Sequence, residues 1–366
     1  MSSLPTSFKE TIWWKQLPDG SIVCTLCPRN CKFEKDGSVG ACGVRVRLNN
    51  KIYLAIYGKS SGWALDPIEK KPLFHFYPGS CAFSIGTIGC NLFCRFCQNW
   101  FISQSRLTPG SLKLPIRMDD LSPENAVALT RRSKCTSIAY TYNEPIVWYE
   151  YMVDTAKLAR KYGIKNVMVT NGYINEEPLI ELAKYMDAAN VDLKGDKNFY
   201  ERLTGTFKAP ETIMSTIEIM KERGMHVEVT ILVIPGWNDK EELFRFVAKW
   251  MLDKFGPEEV PVHISRFYPN YMMRSTSPTP VETLIKARKI LMEEGIKYVY
   301  LGNVPGHPGE HTYCPNCGKL VIKREGFLLT KWNLDEHNRC KFCGHQINIR
   351  GTYKPEKSWI GFHMFF

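Results

Sequence analysis

Long apolar runs, fixed-period repeats and low-complexity segments are missing from this sequence of 366 residues. No apolar stretch approaches the roughly 18 residues that a membrane-spanning helix needs. The opening segment MSSLPTSFKETIWWKQL also lacks the apolar centre that a signal peptide has. We therefore expect a cytoplasmic protein with no membrane association.

The composition is that of a folded protein and excludes global disorder. Hydrophobic residues make up 44% and charged residues 23% of the sequence, so the chain can bury a sizeable core. Its length exceeds one average domain but suits a single α/β barrel with small appendages. The formal net charge of +11 favours either a polyanionic partner such as RNA or, more simply, a soluble surface.

Cysteine is abundant, and its spacing carries most of the information. Nearly all of the 13 cysteines fall into close clusters, with Cys81 and Cys135 standing alone. Because a cytosolic chain has little use for structural disulfides, metal binding is the natural interpretation. The first cluster lies in a stretch rich in glycine, proline and polar residues, which predicts a small metal knuckle holding either zinc or a second iron-sulfur cluster. Its members are Cys24, Cys27, Cys31 and Cys42.

A second quartet lies near the C-terminal end and consists of two Cys-x2-Cys-Gly turns separated by 22 residues. This arrangement is typical of a zinc ribbon, in which four thiolates surround a tetrahedral metal. Its members are Cys314, Cys317, Cys340 and Cys343. Such modules bind RNA or protein, or simply stabilise the end of a chain. The apolar segment SWIGFHMFF that follows is expected to dock on the barrel or on a partner.

Short β-branched runs alternate with amphipathic stretches between the cysteine clusters, which predicts βα units around a parallel sheet. The predicted strands are 82–88, 136–142, 165–170, 188–193, 226–233 and 261–267, and 298–306 closes the sheet. The predicted helices include 123–132, 147–163, 176–186 and 240–252. About six units suit an α/β fold of the partial (βα)6, TIM-like kind, with the functional loops at the carboxyl ends of the strands.

Four parts follow from these patterns. They are a Cys-rich knuckle and lead-in at 1–60, the partial barrel at 61–308, the zinc-ribbon-like module at 309–352 and the apolar tail at 353–366.

The third cluster, Cys90-x3-Cys94-x2-Cys97, follows the strand-and-turn sequence FSIGTIG. Three thiolates can anchor a [4Fe-4S] cluster and leave its fourth iron open to another ligand. A zinc site with a fourth ligand elsewhere, or three buried thiols, is the alternative. The predicted place of the triplet is the top of the barrel, above the first strand.

Cys90-Asn-Leu-Phe-Cys94-Arg-Phe-Cys97 resembles the hallmark of the radical S-adenosylmethionine (radical SAM) superfamily, and the likeness extends over about residues 62–305. In detail the chain is similar to the pyruvate formate-lyase activating enzyme branch. The lead-in DPIEKKPLFHFYPG at 66–79 is similar to that of uncharacterised relatives in this branch. The chain as a whole most resembles the radical enzyme encoded beside the AMMECR and MEMO proteins, which makes those proteins candidate partners. The resemblance implies reductive cleavage of S-adenosylmethionine to a 5′-deoxyadenosyl radical, with electrons from a donor such as ferredoxin or flavodoxin.

The same resemblance implies roles for residues after the first strands. Phe96 matches the aromatic residue that packs against adenine, and Asn171 lies in the segment that touches the ribose. Glu144 matches the acid that accepts a hydrogen bond from the cofactor's ammonium group, although Tyr142-Asn143 stands where two glycines are usual. Each residue has a structural alternative, namely core packing for Phe96, a turn for Asn171 and a helix start for Glu144.

Asp192 and Lys194 complete the predicted cofactor contacts, since alternation along a strand places both on the luminal side. Their alternative is a salt bridge that closes the barrel. His263, Arg266 and Tyr268 are plausible substrate contacts at a later strand.

Two other functions compete with a radical enzyme acting on an unidentified protein or small molecule. One is radical modification of RNA, favoured by the positive charge. The other is a non-enzymatic zinc-ribbon protein that binds nucleic acid and uses its central thiols only structurally.

Overall fold

The computed structural model describes residues 7–111 and 113–353. In this part of the chain an eight-stranded sheet forms the centre of the protein, and its strands lie side by side in the order Val299–Gly302 (β16), Val262–Arg266 (β15), His226–Val233 (β14), Ala188–Asp192 (β13), Lys165–Thr170 (β12), Ser137–Tyr140 (β11), Cys81–Gly86 (β9) and Gly62–Pro67 (β8). Seven of these strands pair in parallel, while β8 pairs antiparallel with β9 at one edge. The sheet is the partial barrel that the alternating pattern predicts.

Small antiparallel strands precede the central sheet. They are β1 (Lys9–Glu10), β2 (Trp14–Gln16), β3 (Ile22–Cys24), β4 (Lys32–Phe33), β5 (Arg45–Leu48), β6 (Lys51–Leu54) and β7 (Lys59–Ser60). The central region then follows, and its strands are β8 (Gly62–Pro67), β9 (Cys81–Gly86), β10 (Asp119–Asp120), β11 (Ser137–Tyr140), β12 (Lys165–Thr170), β13 (Ala188–Asp192), β14 (His226–Val233), β15 (Val262–Arg266) and β16 (Val299–Gly302).

Helices connect the parallel strands. They are α1 (Trp100–Ser103), α2 (Pro123–Arg132), α3 (Tyr149–Lys161), α4 (Glu176–Ala183), α5 (Lys197–Phe199), α6 (Glu211–Glu222), α7 (Glu241–Phe255) and α8 (Val281–Glu294). Shorter helical turns cover Ile68–Lys70, Pro145–Trp148, Tyr200–Thr204 and Pro308–Glu310. Among the described residues, none of these helices is long and apolar enough to cross a membrane.

Helix α2 shows how local sequence sets an element. Ser122 accepts a hydrogen bond from the backbone N–H of Asn125, and Pro123 occupies the first turn, where its missing N–H costs nothing. Arg131 and Arg132 lie in the last turn, where positive charge interacts favourably with the helix dipole. The predicted bounds of this helix are those observed.

The predicted strands agree with the observed ones to within a few residues, but β8 was not foreseen. It contains six residues, begins with glycine and ends with proline, and is only partly buried. It therefore shows neither a continuous apolar run nor clear alternation, and its strand conformation comes from pairing with β9.

The N-terminal strands share one hydrophobic core with the barrel. Ile22, Phe33 and Ile52 are buried in the same cluster as Ile138 and Val229. A buried ion pair reinforces this contact, because the guanidinium of Arg45 donates to both carboxylate oxygens of Glu150 on α3, at 3.1 and 2.7 Å.

The C-terminal strands are β17 (Thr312–Tyr313), β18 (Leu320–Glu325) and β19 (Leu328–Trp332), which form one antiparallel sheet. Arg324 fastens this sheet to the barrel, since its buried guanidinium donates to the carbonyl oxygens of Phe74 and Glu310 and to the hydroxyl of Thr312. The predicted docking segment SWIGFHMFF lies outside the described residues.

Cys81 and Cys135, the two cysteines outside the clusters, form a disulfide in the structure. The expectation that the chain has little use for structural disulfides is wrong for this pair, which lies outside the proposed metal clusters. The two residues lie 54 positions apart and meet because Cys81 begins β9 and Cys135 leads into the neighbouring β11.

Candidate active site

The triplet Cys90, Cys94 and Cys97 lies in the loop that follows β9. Gly89 precedes the loop in a left-handed conformation with φ +84°, and a side chain there would meet the carbonyl oxygen of Cys42 at 2.5 Å. Glycine is therefore required on both conformational and steric grounds. The turn directs the cysteines over the carboxyl ends of the strands.

Asn143 holds this loop in place. Its side chain accepts a hydrogen bond from the backbone N–H of Thr87 and donates to the carbonyl oxygens of Ile88 and Gly89, at 2.9, 3.0 and 2.8 Å. From the sequence alone, Asn143 is only one of two residues that stand where a pair of glycines is usual, and no role is predicted for it. The preceding Tyr142 adopts φ +70°, so the backbone keeps a conformation that glycine favours.

We expect Asn143→Ala to lower the free energy of unfolding by about 2–4 kcal/mol, because three buried backbone groups would lose a partner worth about 1 kcal/mol each. Urea denaturation followed by circular dichroism measures this change. Asn125→Ala on the exposed face of α2 is the matched control and should leave the unfolding midpoint within error. Equal midpoints for the two variants would contradict the role given to Asn143.

The three thiols do not meet at one point but surround a common space. Cys94 is 9% exposed, and burial raises the pKa of its thiol to about 12, with Lys194 opposing that shift. The amide nitrogen of Asn171 lies 3.7 Å from the sulfur of Cys90, and the Ser103 hydroxyl lies 3.2 Å from that of Cys97. Polar hydrogens thus already face two of the sulfurs, as thiolate ligands require.

All three cysteines line a cavity of about 640 Å³ within the sheet. The carboxyl ends of four successive strands contribute to its wall through Glu144, Thr170, Asp192 and Leu232. Pockets of this size commonly hold small ligands. The tip of the β18–β19 hairpin, at Gly326 and Phe327, also lines the cavity, so the C-terminal module forms part of its wall.

Glu144 is 4% exposed, and among the described residues no lysine, arginine or histidine forms an ion pair with its carboxylate. Its oxygens accept hydrogen bonds from the Thr170 hydroxyl and from the backbone N–H groups of Asn171 and Ile146, at 2.7, 2.7 and 3.1 Å. Burial raises the pKa of Glu144 to about 7, although these bonds oppose the shift. Glu144 caps the helical turn Pro145–Trp148 and also lines the cavity. Its position is therefore compatible with both sequence interpretations, a helix start and a contact to the cofactor.

Asp192 and Lys194 form a salt bridge of 2.6 Å, and both side chains line the cavity. Burial lowers the pKa of Lys194, but the neighbouring carboxylate of Asp192 outweighs it and the net shift is upward. The pair lies at the end of one strand and does not join two strands. It presents both charges to the cavity.

Phe96 and Asn171 also lie at the cavity. Phe96 is 4% exposed and packs beside Phe199, with ring centroids 5.7 Å apart. The Asn171 side chain is already engaged, since its amide donates to Asn91 at 2.9 Å and its oxygen accepts from the backbone N–H of Tyr173.

The three predicted substrate contacts separate in the structure. His263 lines the cavity, but it is buried and its ring hydrogen-bonds Glu228 at 2.7 Å. Arg266 donates to the carbonyl oxygen of Thr279 and to the hydroxyl of Tyr268. Neither Arg266 nor Tyr268 is among the residues that line the cavity. Glu228 was missed by sequence reasoning because its partners come from β14, β15 and the 66–79 segment.

Comparison with known proteins agrees with this geometry. The sequence profile described as the radical SAM superfamily matches residues 84–247. An uncharacterised protein of Methanocaldococcus jannaschii is 45% identical over 342 residues, which cover 93% of this chain and 99% of that protein. The chain belongs to the radical SAM superfamily. It is therefore a radical SAM enzyme with the eight-stranded α/β sheet described above.

Two further similarities are more distant. The 4-hydroxyphenylacetate decarboxylase activating enzyme of Clostridium scatologenes is 28% identical over 108 residues, or 29% of this chain and 34% of that enzyme. The crystal structure of a radical SAM methyltransferase from Sphaerobacter thermophilus superposes with a TM-score of 0.49 at 16% identity, covering 81% of this chain and 77% of that one.

The radical SAM family implies a [4Fe-4S] cluster and S-adenosylmethionine, and the residues at the cavity fit both groups. The cysteine spacing, the spread of the thiols and the polar hydrogens facing Cys90 and Cys97 suit a cubane with one open iron. The buried carboxylate of Glu144 and the charges of Asp192 and Lys194 suit a ligand that carries ammonium and carboxylate groups.

The C-terminal quartet of this radical SAM enzyme converges tightly. The sulfurs of Cys314 and Cys343 lie 3.6 Å apart, those of Cys317 and Cys340 lie 3.8 Å apart, and all four lie within 4.8 Å of one another. Both Cys-x2-Cys turns end in a glycine with positive φ, Gly318 and Gly344. This group could hold a metal ion.

Proposed function

We propose that this radical SAM enzyme cleaves S-adenosylmethionine reductively at a [4Fe-4S] cluster held by Cys90, Cys94 and Cys97. The bound groups supply a 5′-deoxyadenosyl radical that abstracts hydrogen from a protein or small-molecule substrate. The observation that supports this proposal is the single cavity that the three thiols share with Glu144, Asp192 and Lys194.

The charges around the cavity suggest how the cofactor is oriented. Glu144 is a buried carboxylate that forms no ion pair with the described residues, so the ammonium group of the methionine moiety would give it a partner. Lys194 offers a positive charge to the carboxylate at the other side of that moiety, and Asp192 holds Lys194 in its protonated form. Phe96 offers an aromatic face to adenine, and Asn171 supports the sulfur of Cys90.

The substrate would occupy the part of the cavity that these groups leave free. The wall there includes Thr230 on β14, Ser265 on β15, Asn303 directly after β16, and Phe327 of the C-terminal module. These four side chains are small, polar or aromatic, and His263 also lines the cavity but is bonded to the carboxylate of Glu228. A small molecule, or one side chain of a protein substrate, would fit such a space.

Ferredoxin or flavodoxin is the electron donor we propose, because the cleavage consumes one electron at low potential. The resemblance of the chain to the radical enzyme encoded beside AMMECR and MEMO proteins makes those proteins the partners to test, within the cytoplasm.

The test is anaerobic incubation of the reconstituted protein with S-adenosylmethionine and dithionite. We expect methionine and 5′-deoxyadenosine to form in equal amounts, detected by liquid chromatography and mass spectrometry. Omission of the reductant should abolish both products. Tight cofactor binding without 5′-deoxyadenosine, under conditions in which the cluster is reduced, would refute the proposal.

We propose zinc as the metal of the C-terminal module. Tetrahedral zinc with Zn–S bonds of 2.3 Å places its sulfurs about 3.8 Å apart, which agrees with the two distances above. Protein produced under iron limitation should therefore still contain about one zinc per chain. Absence of zinc, together with rapid alkylation of Cys314 and Cys343 in the native protein, would contradict this assignment.

A further inference from the structure

The N-terminal quartet differs from the C-terminal one in how its sulfurs are arranged. In the described part of the chain, Cys314, Cys317, Cys340 and Cys343 form the one group of three or more histidine, cysteine or acidic side chains placed to share a single ion. Cys24, Cys27, Cys31 and Cys42 do not converge in this way. They line the wall of one small cavity instead.

The radical SAM triplet provides an internal comparison. Its three thiols also line a shared cavity without converging on a single ion. A cubane requires this wider spacing, because each cysteine binds a different iron at a corner of the cluster. The N-terminal thiols are thus arranged like the cysteines that take a cubane and unlike those that take one ion.

The cavity wall contains a polar group that lacks a partner. Arg45 is 2% exposed, and its two terminal nitrogens bind Glu150, but its Nε has no hydrogen-bond partner among the described residues. Leaving such a donor buried and unsatisfied is costly. Arg45 lines the cavity beside the four thiols, where a sulfide or thiolate sulfur can accept the bond.

The remaining residues of the cavity wall would shield a bound metal cluster from solvent. Leu26, Phe33, Ile146 and Val147 surround the thiols with apolar side chains. Backbone N–H groups face three of the sulfurs: that of Leu26 faces Cys24, that of Arg29 faces Cys27, and that of Ala41 lies 3.3 Å from Cys31. Hydrogen bonds of this kind stabilise cluster-bound thiolates.

We propose that Cys24, Cys27, Cys31 and Cys42 bind a second [4Fe-4S] cluster. Four cysteines leave no iron open, so this cluster binds no substrate and serves in the transfer of single electrons. An external one-electron reductant supplies the electron, which passes to the cluster of the triplet without any bond being formed or broken.

The position of the site supports this role. Asn91 lines the N-terminal cavity and directly follows Cys90, and Ile146 and Val147 of the same wall follow Glu144. Arg29 donates to the carbonyl oxygens of Asn91 and Gly205 and packs on the ring of Phe93, which lies within the triplet's loop. The two cysteine sites therefore share a wall.

The deciding experiment uses the triple variant Cys90→Ala, Cys94→Ala, Cys97→Ala of the full chain, reconstituted anaerobically with iron and sulfide. We expect about four irons and four sulfides per chain to remain, with the Mössbauer spectrum of a [4Fe-4S] cluster. Adding Cys24→Ala and Cys42→Ala to the triple variant should remove this iron. A triple variant that contains no cluster but about two zinc ions per chain would overturn the proposal.

A second arm separates cluster loss from misfolding. The variant Cys24→Ala, Cys42→Ala with the triplet intact should contain about four irons, half of the parent's content, and its remaining cluster should still respond to S-adenosylmethionine by electron paramagnetic resonance. Undiminished iron in this variant would overturn the assignment. The iron count of the triple variant does not depend on catalysis, so it decides this proposal even if the proposed cleavage fails.

Discussion

Loss of any one cysteine of the triplet is expected to abolish the cleavage of S-adenosylmethionine. Replacement of Cys90, Cys94 or Cys97 by alanine removes one of the three protein ligands that we propose for the cluster, so the cluster would lose its anchor and the open iron its position in the cavity. The formation of 5′-deoxyadenosine by the reconstituted variants measures this loss, and we expect it to fall to background.

The matched control removes cysteines that lie outside all three clusters. The double variant Cys81→Ala, Cys135→Ala lacks the disulfide between the first residue of β9 and a residue two positions before β11, but it keeps every residue that lines the cavity. It should retain the cleavage activity even if its stability falls. Full activity in all three triplet variants would refute the assignment of the cluster.

Glu144→Gln and Asp192→Asn are expected to weaken the binding of S-adenosylmethionine by roughly ten- to hundred-fold. For Glu144→Gln the basis is the loss of a charge-assisted hydrogen bond to the ammonium group of the cofactor, worth about 1.5–3 kcal/mol. Asp192→Asn acts through Lys194, because it removes the carboxylate that keeps this lysine charged and in place beside the carboxylate of the cofactor. Calorimetry on anaerobic protein measures the dissociation constant, and the absorption spectrum checks that the iron-sulfur cluster survives. Unchanged affinity in both variants would make these residues structural.

A control is needed for Glu144 because its carboxylate also accepts two backbone hydrogen bonds. A glutamine can accept only one of them, since its amide nitrogen would face an N–H group. Thr170→Val tests how much of the effect comes from a disturbed hydrogen-bond network around Glu144. It removes the hydroxyl bonded to the same carboxylate and leaves the charge of Glu144 in place. We expect Thr170→Val to bind the cofactor within a few-fold of the parent.

Regular local patterns made the barrel predictable from the sequence. Runs rich in β-branched residues, such as 165–170 and 226–233, are largely buried along their strands, so composition and length identify them. The spacing of Cys90, Cys94 and Cys97 is local as well. The polar residues that follow the strands were predictable as a group, because the carboxyl ends of parallel strands meet at one edge.

Contacts between distant segments were not predictable. Tyr142 takes its left-handed conformation next to the triplet loop, and its hydroxyl donates to Asp66, which is 76 positions away. Phe327 reaches the cavity because the C-terminal sheet packs against the barrel, and no local pattern marks it. Single residues of this kind gain their roles from the assembled fold.

The ion pair between Arg45 and Glu150 has a consequence for dissecting the protein. Cleaving the chain before residue 61 to isolate the barrel would leave Glu150 as a buried charge without its partner, a change that typically costs about 3–5 kcal/mol. It would also expose the apolar surface that Ile22, Phe33 and Ile52 cover. A stable fragment that retains the barrel should therefore include the N-terminal strands, although the superfamily profile matches only from residue 84.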